Sequence, residues 1–440
     1  MTARGNETGG LKVLFLSALQ IHPPRSGGTL RSFGLVNALR RHGLDVRVHS
    51  LTGRRADYLA RRPSSVQVWP DGAEERVDRG LGSLVDWLAG YVVAPPPVWI
   101  SARLAAGASS PGERLLPRAL RQQLRWCDAI VADFPFCAPV LRAPSARGKL
   151  RVLSTHNVEH HLIDARRGAR HRLARALVRR LEVRAARACD VLVSCCAEDA
   201  RFFEAHARVP RAVVVPNGVD PGRFRGWEAD RAALRRELGV AAGDKLLLFT
   251  GSRWAPNREA FDYLRAFSRA HAPLLEDHGL HLLVVGNVVP GPLRQPRFTA
   301  TGPVERVEPY FAAADAGINP LLEGAGTNLK TCEFIAARLP MLTTPFGARG
   351  FHVAEGESGF LFDRSDLPAA LARFADAFDH DPARLRQMAD AAYARNELLA
   401  DMNAGVRGLV EAMRASAAAR RTPATRLQGA AVIPRLEADG

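Results

Sequence analysis

The chain has 440 residues, 47% of them apolar and 24% charged, with 61 Lys+Arg against 45 Asp+Glu and a formal charge of +16. The length exceeds one ordinary core and calls for about two to three domains. The composition excludes global disorder, a collagen-like repeat and a coiled coil.

Only Lys12, Lys149, Lys245 and Lys330 are lysines, so the basic excess is almost all arginine. In a chain this rich in Arg and Ala, that excess alone does not indicate nucleic acid, and no nucleic-acid partner is expected. Its distribution says more. Residues 1–220 hold 34 basic and 19 acidic side chains, and residues 221–440 hold 27 and 26. The imbalance places one half of the molecule against an anionic partner or surface.

Residues 1–10 are polar and without an apolar core, and are expected to be disordered and no secretory signal. Leu11–Ser17 is an apolar run that fits a buried parallel strand. The loop HPPRSGGT and a helical pattern follow, in which Leu30, Phe33, Val36 and Leu39 recur three apart and Gly43 stands at a C-cap position. Val46–Leu51 restarts an extended run, completing the strand–loop–helix–strand unit of a doubly wound sheet. Further strands are expected at Ala129–Ala132, Val152–Ser154 and Val191–Ser194. The pattern then recurs with runs at 246–251, 280–286 and 341–345.

The turn-rich segment Val213–Phe224 lies near the midpoint and reads as a domain linker. The expected division is 11–212 for a first Rossmann-like domain and 213–400 for a second. A C-terminal helix at 401–414 would pack back towards the first domain, and 415–440 would form a flexible tail. No stretch reaches a membrane span of about 20 apolar residues. The six cysteines show no metal spacing, and Cys195 and Cys196, adjacent in sequence, are not expected to bridge each other. Free buried thiols in a reducing cytoplasm are the expectation.

The strongest chemical signal is EGAGTNLKTCE at 323–333. Gly324 and Gly326 let backbone approach a ligand, and Thr327 or Asn328 can cap the helix that follows. Its free N–H groups and positive dipole end suit an anion. Lys330 in the first turn is poorly placed for the dipole, by about 0.3–1 kcal/mol, and a bound diphosphate would explain it. Glu333, one turn deeper, can accept from vicinal hydroxyls such as those of a ribose. In FTGSRWAPN, Gly251 ends a strand and Arg253 can clamp phosphate oxygens at the strand's C-terminal edge. Asn257 can instead cap the next helix.

In RSGGT, Gly27 and Gly28 suit close backbone approach at a helix N-terminus, without the G-x-G-x-x-G spacing of a dehydrogenase. In STHNVEHH, His156 stands at a strand end facing a cleft. His156 and His160 are four apart, but a metal would need a helix or added Cys ligands, and none is expected. In 165–187, nine arginines meet one acid, Glu182. Leu173, Leu177, Leu181 and Ala185 form an apolar stripe there, as in a helix packed on the sheet, while the basic face suits solvent or an anionic membrane surface.

Taken in order, these segments resemble the retaining glycosyltransferases of family 4. The resemblance covers roughly residues 11–410 and is carried by KVLFLSALQIHPPRSGGTLRSFGLVNALRRHG, THNVEHH, VVVPNGVDPGRF, LLFTGSRWAPNREAFDYL, HLLVVG, the segment from Gly302 to Gly350, and GESGFLF. It implies the GT-B fold, an α/β architecture of two Rossmann-like, doubly wound parallel-sheet domains facing a cleft. It also implies transfer of a sugar from a nucleotide-diphosphate sugar to an acceptor hydroxyl with retained configuration, with no cofactor and no metal.

The donor site so implied comprises Gly28, Gly251, Arg253, Gly326, Thr327, Asn328, Leu329, Lys330 and Glu333. Gly27, Gly28 and His156 lie on the acceptor side. His156, Arg253 and Lys330 are the expected catalytic groups. Ala325 stands where the family's E-x7-E signature has its first Glu, and Glu323 lies two residues before it; the segment is similar to a GxGTxxKxxE variant. The acceptor would be a lipid-linked sugar, a lipid or a small molecule, met in the cytoplasm or at the inner membrane face during polysaccharide, glycolipid or glycoconjugate synthesis. Another GT-B enzyme, such as a sugar-nucleotide epimerase or phosphorylase, and a non-catalytic sugar-nucleotide binder are the alternatives.

Overall fold

The computed structural model describes residues 10–24, 27–53, 64–70, 72–79, 116–163, 168–209, 211–241, 243–324 and 327–421. Strands β1 (Lys12–Ser17), β2 (Asp45–Ser50), β3 (Ser65–Val68), β4 (Glu74–Val77), β5 (Ala129–Asp133), β6 (Leu150–Ser154), β7 (Val191–Ser194) and β8 (Ala212–Val214) form one sheet, ordered β3-β4-β2-β1-β5-β6-β7-β8. Strands β9 (Lys245–Thr250), β10 (Leu280–Val285), β11 (Leu293–Gln295), β12 (Phe298–Ala300), β13 (Ala316–Asn319), β14 (Met341–Thr343) and β15 (Phe360–Leu361) form the other, ordered β11-β12-β10-β9-β13-β14-β15. Every pairing is parallel except β3 with β4 and β11 with β12.

The helices are α1 (Gly27–Arg41), α2 (Arg118–Trp126), α3 (Ala169–Ala188), α4 (Ala197–Ala207), α5 (Arg231–Leu238), α6 (Ala255–Ala270), α7 (Ala272–Asp277), α8 (Glu308–Ala313), α9 (Leu329–Ala336), α10 (Leu367–His380), α11 (Pro382–Ala400), α12 (Met402–Gly405) and α13 (Arg407–Arg421).

The central strands are apolar without interruption because both faces are covered. Along β1, Leu14 and Leu16 join one apolar cluster while Val13 and Phe15 join the cluster on the opposite face. β9 repeats this: Leu247 and Phe249 face one cluster, Leu246 and Leu248 the other. Each such side chain contributes about 1.5–3 kcal/mol when fully buried.

Two features set how the sheets meet. The chain crosses between them once after β8 and again after α11, and the crossings run side by side: the Val219 N–H donates to the Ala400 carbonyl at 2.7 Å. A Cβ at Gly218 would lie 2.4 Å from the backbone nitrogen of Met402, so only glycine fits. After the second crossing, Met402, Val406, Leu409, Val410 and Met413 pack with Val13 and Phe15 in the first core. The last helix continues through Arg421, well past the point at Ala415 where periodicity fades in the sequence.

Helix α1 ends as its glycine requires. Gly43 has φ +81°, its N–H donates to Arg40, and the Leu44 N–H reaches Leu39, the paired bonds of a Schellman motif. Its buried face is Arg31, Ser32, Leu35, Val36, Ala38 and Leu39, rotated from the three-apart pattern of Leu30 and Phe33.

The reading of the arginine-rich helix needs a larger correction. In α3, Leu173 and Leu177 are 63% and 49% exposed, whereas Val178, Glu182, Ala185 and Ala186 are buried. Residues strictly four apart drift about 40° per step around a 3.6-residue helix, so the leucine stripe leaves the seam. What the helix buries is a carboxylate: Glu182 receives the Glu159 N–H at 2.9 Å and contacts His160 Nδ1. Burial pushes the Glu182 carboxyl up to about 8.

Candidate active site between the two sheets

Parallel strands deliver their C-terminal ends to one edge, and that edge of each sheet faces the other. From the first sheet come the N-terminus of α1 after β1, Phe134 after β5, His156 after β6, and Cys195 and Cys196 after β7. From the second come Gly251–Arg253 after β9, Gly286 and Asn287 after β10, and the loop into α9 after β13. The two contributions touch. A Cβ at Gly27 would lie 2.8 Å from Leu329 Cδ1, so the starts of α1 and α9 abut.

On the first side, His156 is 5% exposed and held by a fully buried carboxylate, with Asp133 Oδ1 2.8 Å from its Nε2. Ser32 Oγ lies 2.6 Å from Asp133 Oδ2 and 3.0 Å from the Gly28 carbonyl. The ring stacks on Phe134 at 3.8 Å between centroids, and Phe134 is a rare non-glycine residue at φ +74°. A Cβ at Gly28 would stand 3.5 Å from His156 Nδ1. With Nε2 anchored, the other ring nitrogen therefore faces the α1 N-terminus.

On the second side, Asn328 is the N-cap residue of α9, and no side chain caps the helix. Thr327 is buried, and among the described residues its hydroxyl has no partner. Lys330 is half-buried, with Nζ 5.3 Å from the Phe249 ring centroid. Its hydrogen bond, 2.7 Å, goes to the neutral Asn257 Oδ1, and among the described residues it joins no ion pair. Burial pushes its ammonium down to about 8. Asn257 is not an N-cap: α6 starts at Ala255, and the Asn257 amide ties Ser252 to Lys330 instead.

Glu333 is 7% exposed, and burial pushes its carboxyl above the ordinary range against the pull of Arg223. Arg223 Nη1 is 3.4 Å from Glu333 Oε1, and its Nη2 is 2.8 Å from Glu308.

The remaining expected residues sort clearly. Gly251 sits at the β9 terminus, where its carbonyl lies 2.5 Å from the position of a Cβ on Gly286, so backbone packs on backbone there. Arg253 is exposed at the mouth; among the described residues only its backbone N–H is engaged, by Asn287 Oδ1 at 3.2 Å. Glu323 is exposed at the rim. Gly326 and Ala325 lie outside the described residues. Sequence reasoning missed Asp133, Asn257 as a lysine anchor, and Arg223. The last stands inside the linker motif VVVPNGVDPGRF, and a basic residue following Asp-Pro-Gly was the available signal.

The model of the glycosyl transferases group 1 matches residues 244–378, and that of glycosyltransferase family 4 matches residues 26–223. Between them they span most of the chain. D-inositol 3-phosphate glycosyltransferase of Geodermatophilus obscurus is 33% identical over 205 residues, which are 41% of this chain and 44% of that protein. The chain spans about half the length of the curated relatives it matches.

Among solved structures, sucrose-phosphate synthase from Thermosynechococcus elongatus superposes with a TM-score of 0.64 at 16% identity, covering 93% of this chain and 100% of that one. HepE of Anabaena in complex with UDP-glucose gives 0.61 at 16% identity, over 92% and 100%. The two wound sheets and the order of motifs agree with both halves of this match: the chain has the GT-B fold and belongs to the family 4, group 1 glycosyltransferases.

Proposed function

We propose that this protein transfers a glycosyl group from a nucleoside-diphosphate sugar to an acceptor hydroxyl, with retention of anomeric configuration and without a metal in the transfer step. The observation that carries the reading is Lys330: a half-buried cation at a helix N-terminus, held among the described residues only by a neutral amide. A diphosphate satisfies the helix N–H groups, the buried Thr327 hydroxyl and the ammonium at once. Glu333, steadied by Arg223, then accepts the ribose hydroxyls, and Arg253 at the mouth closes on phosphate oxygens. The departing diphosphate gains negative charge as the glycosidic bond breaks, and each preorganised donor aimed at it contributes about 3–4 kcal/mol.

Gly27 and Gly28 bring the α1 N-terminus against the same point, where His156 faces the sugar. The carboxylates Asp133 and Glu333 are engaged by His156 and Arg223. The leaving phosphate therefore takes the acceptor proton on the face it departs from.

The acceptor side is the basic half, which suits an anionic acceptor; a sugar or cyclitol phosphate is the first to try, since a relative's name carries D-inositol 3-phosphate. The exposed Leu173 and Leu177 beside Arg172, Arg180, Arg184 and Arg187 suit docking at an anionic cytoplasmic membrane face, where such an acceptor would be used in glycolipid or polysaccharide synthesis. Among the described residues, no helix is long and apolar enough to cross a membrane.

The test is a calorimetric screen of nucleoside diphosphates and their sugars, UDP-glucose first, followed by product analysis with an acceptor panel. Binding of a diphosphate that survives Lys330→Ala unchanged would overturn the reading. Isomerised donor without acceptor would reassign the enzyme.

A further inference from the structure

We propose that Cys195, Cys196 and Asp199 form a binding site for a thiophilic divalent cation of the zinc class, at the N-terminus of α4 on the floor of the cleft. One ligand atom from each lies within 4.8 Å of the others, and all three residues are buried. Local structure brings them together. Cys195 follows β7, Cys196 is the extended N-cap residue of α4 at φ −149° and ψ 163°, and Asp199 stands in the first turn of the helix, where its carboxylate reaches back. Spacing rules built on C-x-x-C or paired His pass over C-C-x-x-D, because here the strand-to-helix turn rather than a loop gathers the ligands.

The dimensions suit the ion. Around tetrahedral zinc, with Zn–S near 2.3 Å and Zn–O near 2.0–2.2 Å, neighbouring donors stand about 3.5–3.8 Å apart. Cys195 Sγ already lies 3.7 Å from Asp199 Oδ2. The competing chemistry for two adjacent thiols is a disulfide, but Cα atoms across a trans peptide are about 3.8 Å apart, below the usual 4.4–6.8 Å of a disulfide. Two bonds to a third atom fit the pair better than one bond between them.

Charge also balances. Two thiolates and a carboxylate around a dication leave one net negative charge. Arg31, buried beside the cluster, supplies the matching positive one: its Nη1 donates to the neutral Pro216 carbonyl and Asn217 Oδ1, while Nε and Nη2 have no partner among the described residues. Arg31 and Asp199 face Cys195, Asp133 also faces Arg31, and Arg349 and Glu198 face Asp199. Before an ion binds, the Cys195 thiol donates to the His156 carbonyl at 3.0 Å. On binding, both thiol protons pass to solvent, two S–metal bonds and one O–metal bond form, and a fourth position is left for water or a ligand. Glycosyl transfer plays no part in this argument, so its failure would leave the ion site standing.

The test titrates the reduced full chain with cadmium as a spectroscopic probe, and with zinc by equilibrium dialysis. One ion per chain, about two protons released, and a cadmium–thiolate charge-transfer band are expected. Asp199→Asn should weaken binding about tenfold or more. Cys332→Ser, which removes a buried thiol packed elsewhere, should leave it unchanged. Absence of a stoichiometric ion in the wild-type protein would overturn the site, as would a band that survives in the Cys195→Ser/Cys196→Ser double variant or is lost in Cys332→Ser. The wild-type and Asp199→Asn measurements decide the matter even if the double variant does not fold.

Discussion

The two sides of the cleft are built alike and charged differently. Each places a helix N-terminus after a parallel strand, α1 on one side and α9 on the other, and the two meet at Gly27 and Leu329. On the α1 side, the titratable ring is finished: His156 has Asp133, Asp133 has Ser32, and the stack on Phe134 completes the shell. On the α9 side, the cation is unfinished: among the described residues, Lys330 has only an amide and the Thr327 hydroxyl has no partner. A closed polar network positions, whereas an open one awaits a ligand. The comparison thus assigns ligand charge to the second side and geometry to the first, although the first half of the chain holds nearly all the surplus positive charge.

The sharpest way to break that assignment is Lys330→Ala. If the ammonium meets charge developing on the diphosphate, kcat/KM for the donor should fall about 10²–10³-fold, with the melting temperature little changed. The matching change on the other side, His156→Gln, should lower kcat more than donor affinity. Equal losses of donor affinity in both variants would erase the distinction between the sides.

Arg223 tests how the second side is held. Arg223→Met leaves Glu333 buried without its guanidinium, and an unsatisfied buried charged group costs about 1–3 kcal/mol or more. Urea unfolding should show a loss of about 2 kcal/mol, and Glu333→Gln in the same background should recover part of it. Additive losses would mean that the 3.4 Å pair carries no coupling.

Lys330 also gives the cleft a pH signature. Its ammonium is pushed down to about 8 by burial, and the cationic form is the one a diphosphate binds. Donor affinity should therefore be full below that value and decline as pH rises through it, by up to about tenfold per unit. A diphosphate diester has no ionisation of its own in this range, so the slope belongs to the protein. Calorimetry at rising pH should show it in the wild type and not in Lys330→Gln.

How much of this could be read beforehand follows the same division between local and non-local. Buried parallel strands are continuous apolar runs, so β1, β2, β5, β6, β7, β9 and β10 stood out. The edge pair β3 and β4 did not, because four residues with Val66 and Val68 exposed carry no apolar run. The helix N-termini of the site were legible through Gly27, Gly28 and Lys330, each a local oddity. The partners that finish or steady them were not. Asp133 lies 23 residues from His156, Arg223 lies 110 from Glu333, and Asn257 lies 73 from Lys330. No pattern within one segment encodes such pairs. Helix α3 failed for another reason: arginine and leucine alternate so densely that two seams fit the sequence, and the buried Glu182–His160 contact chose the less apolar one.

That same choice leaves the leucines outside, and the smallest predicted effect follows from it. With Leu173 and Leu177 exposed, α3 presents two apolar side chains at one end and Arg180, Arg184 and Arg187 along the same face. A single arginine near an anionic bilayer contributes about 1 kcal/mol, so Arg184→Gln should weaken binding to phosphatidylserine vesicles only about fivefold. The term decays within about 10 Å at 0.1 M salt, so the difference should vanish as salt is raised. Leu177→Ser acts through apolar contact and should weaken binding at every salt concentration. If Arg184→Gln and Leu177→Ser lost binding with the same salt dependence, the face would be a diffuse positive patch and the leucines incidental. If neither lowered sedimentation with vesicles, the basic half would be left with its acceptor as the anionic partner, and the charge contrast between the two sides of the cleft would become a matter of substrate recognition alone.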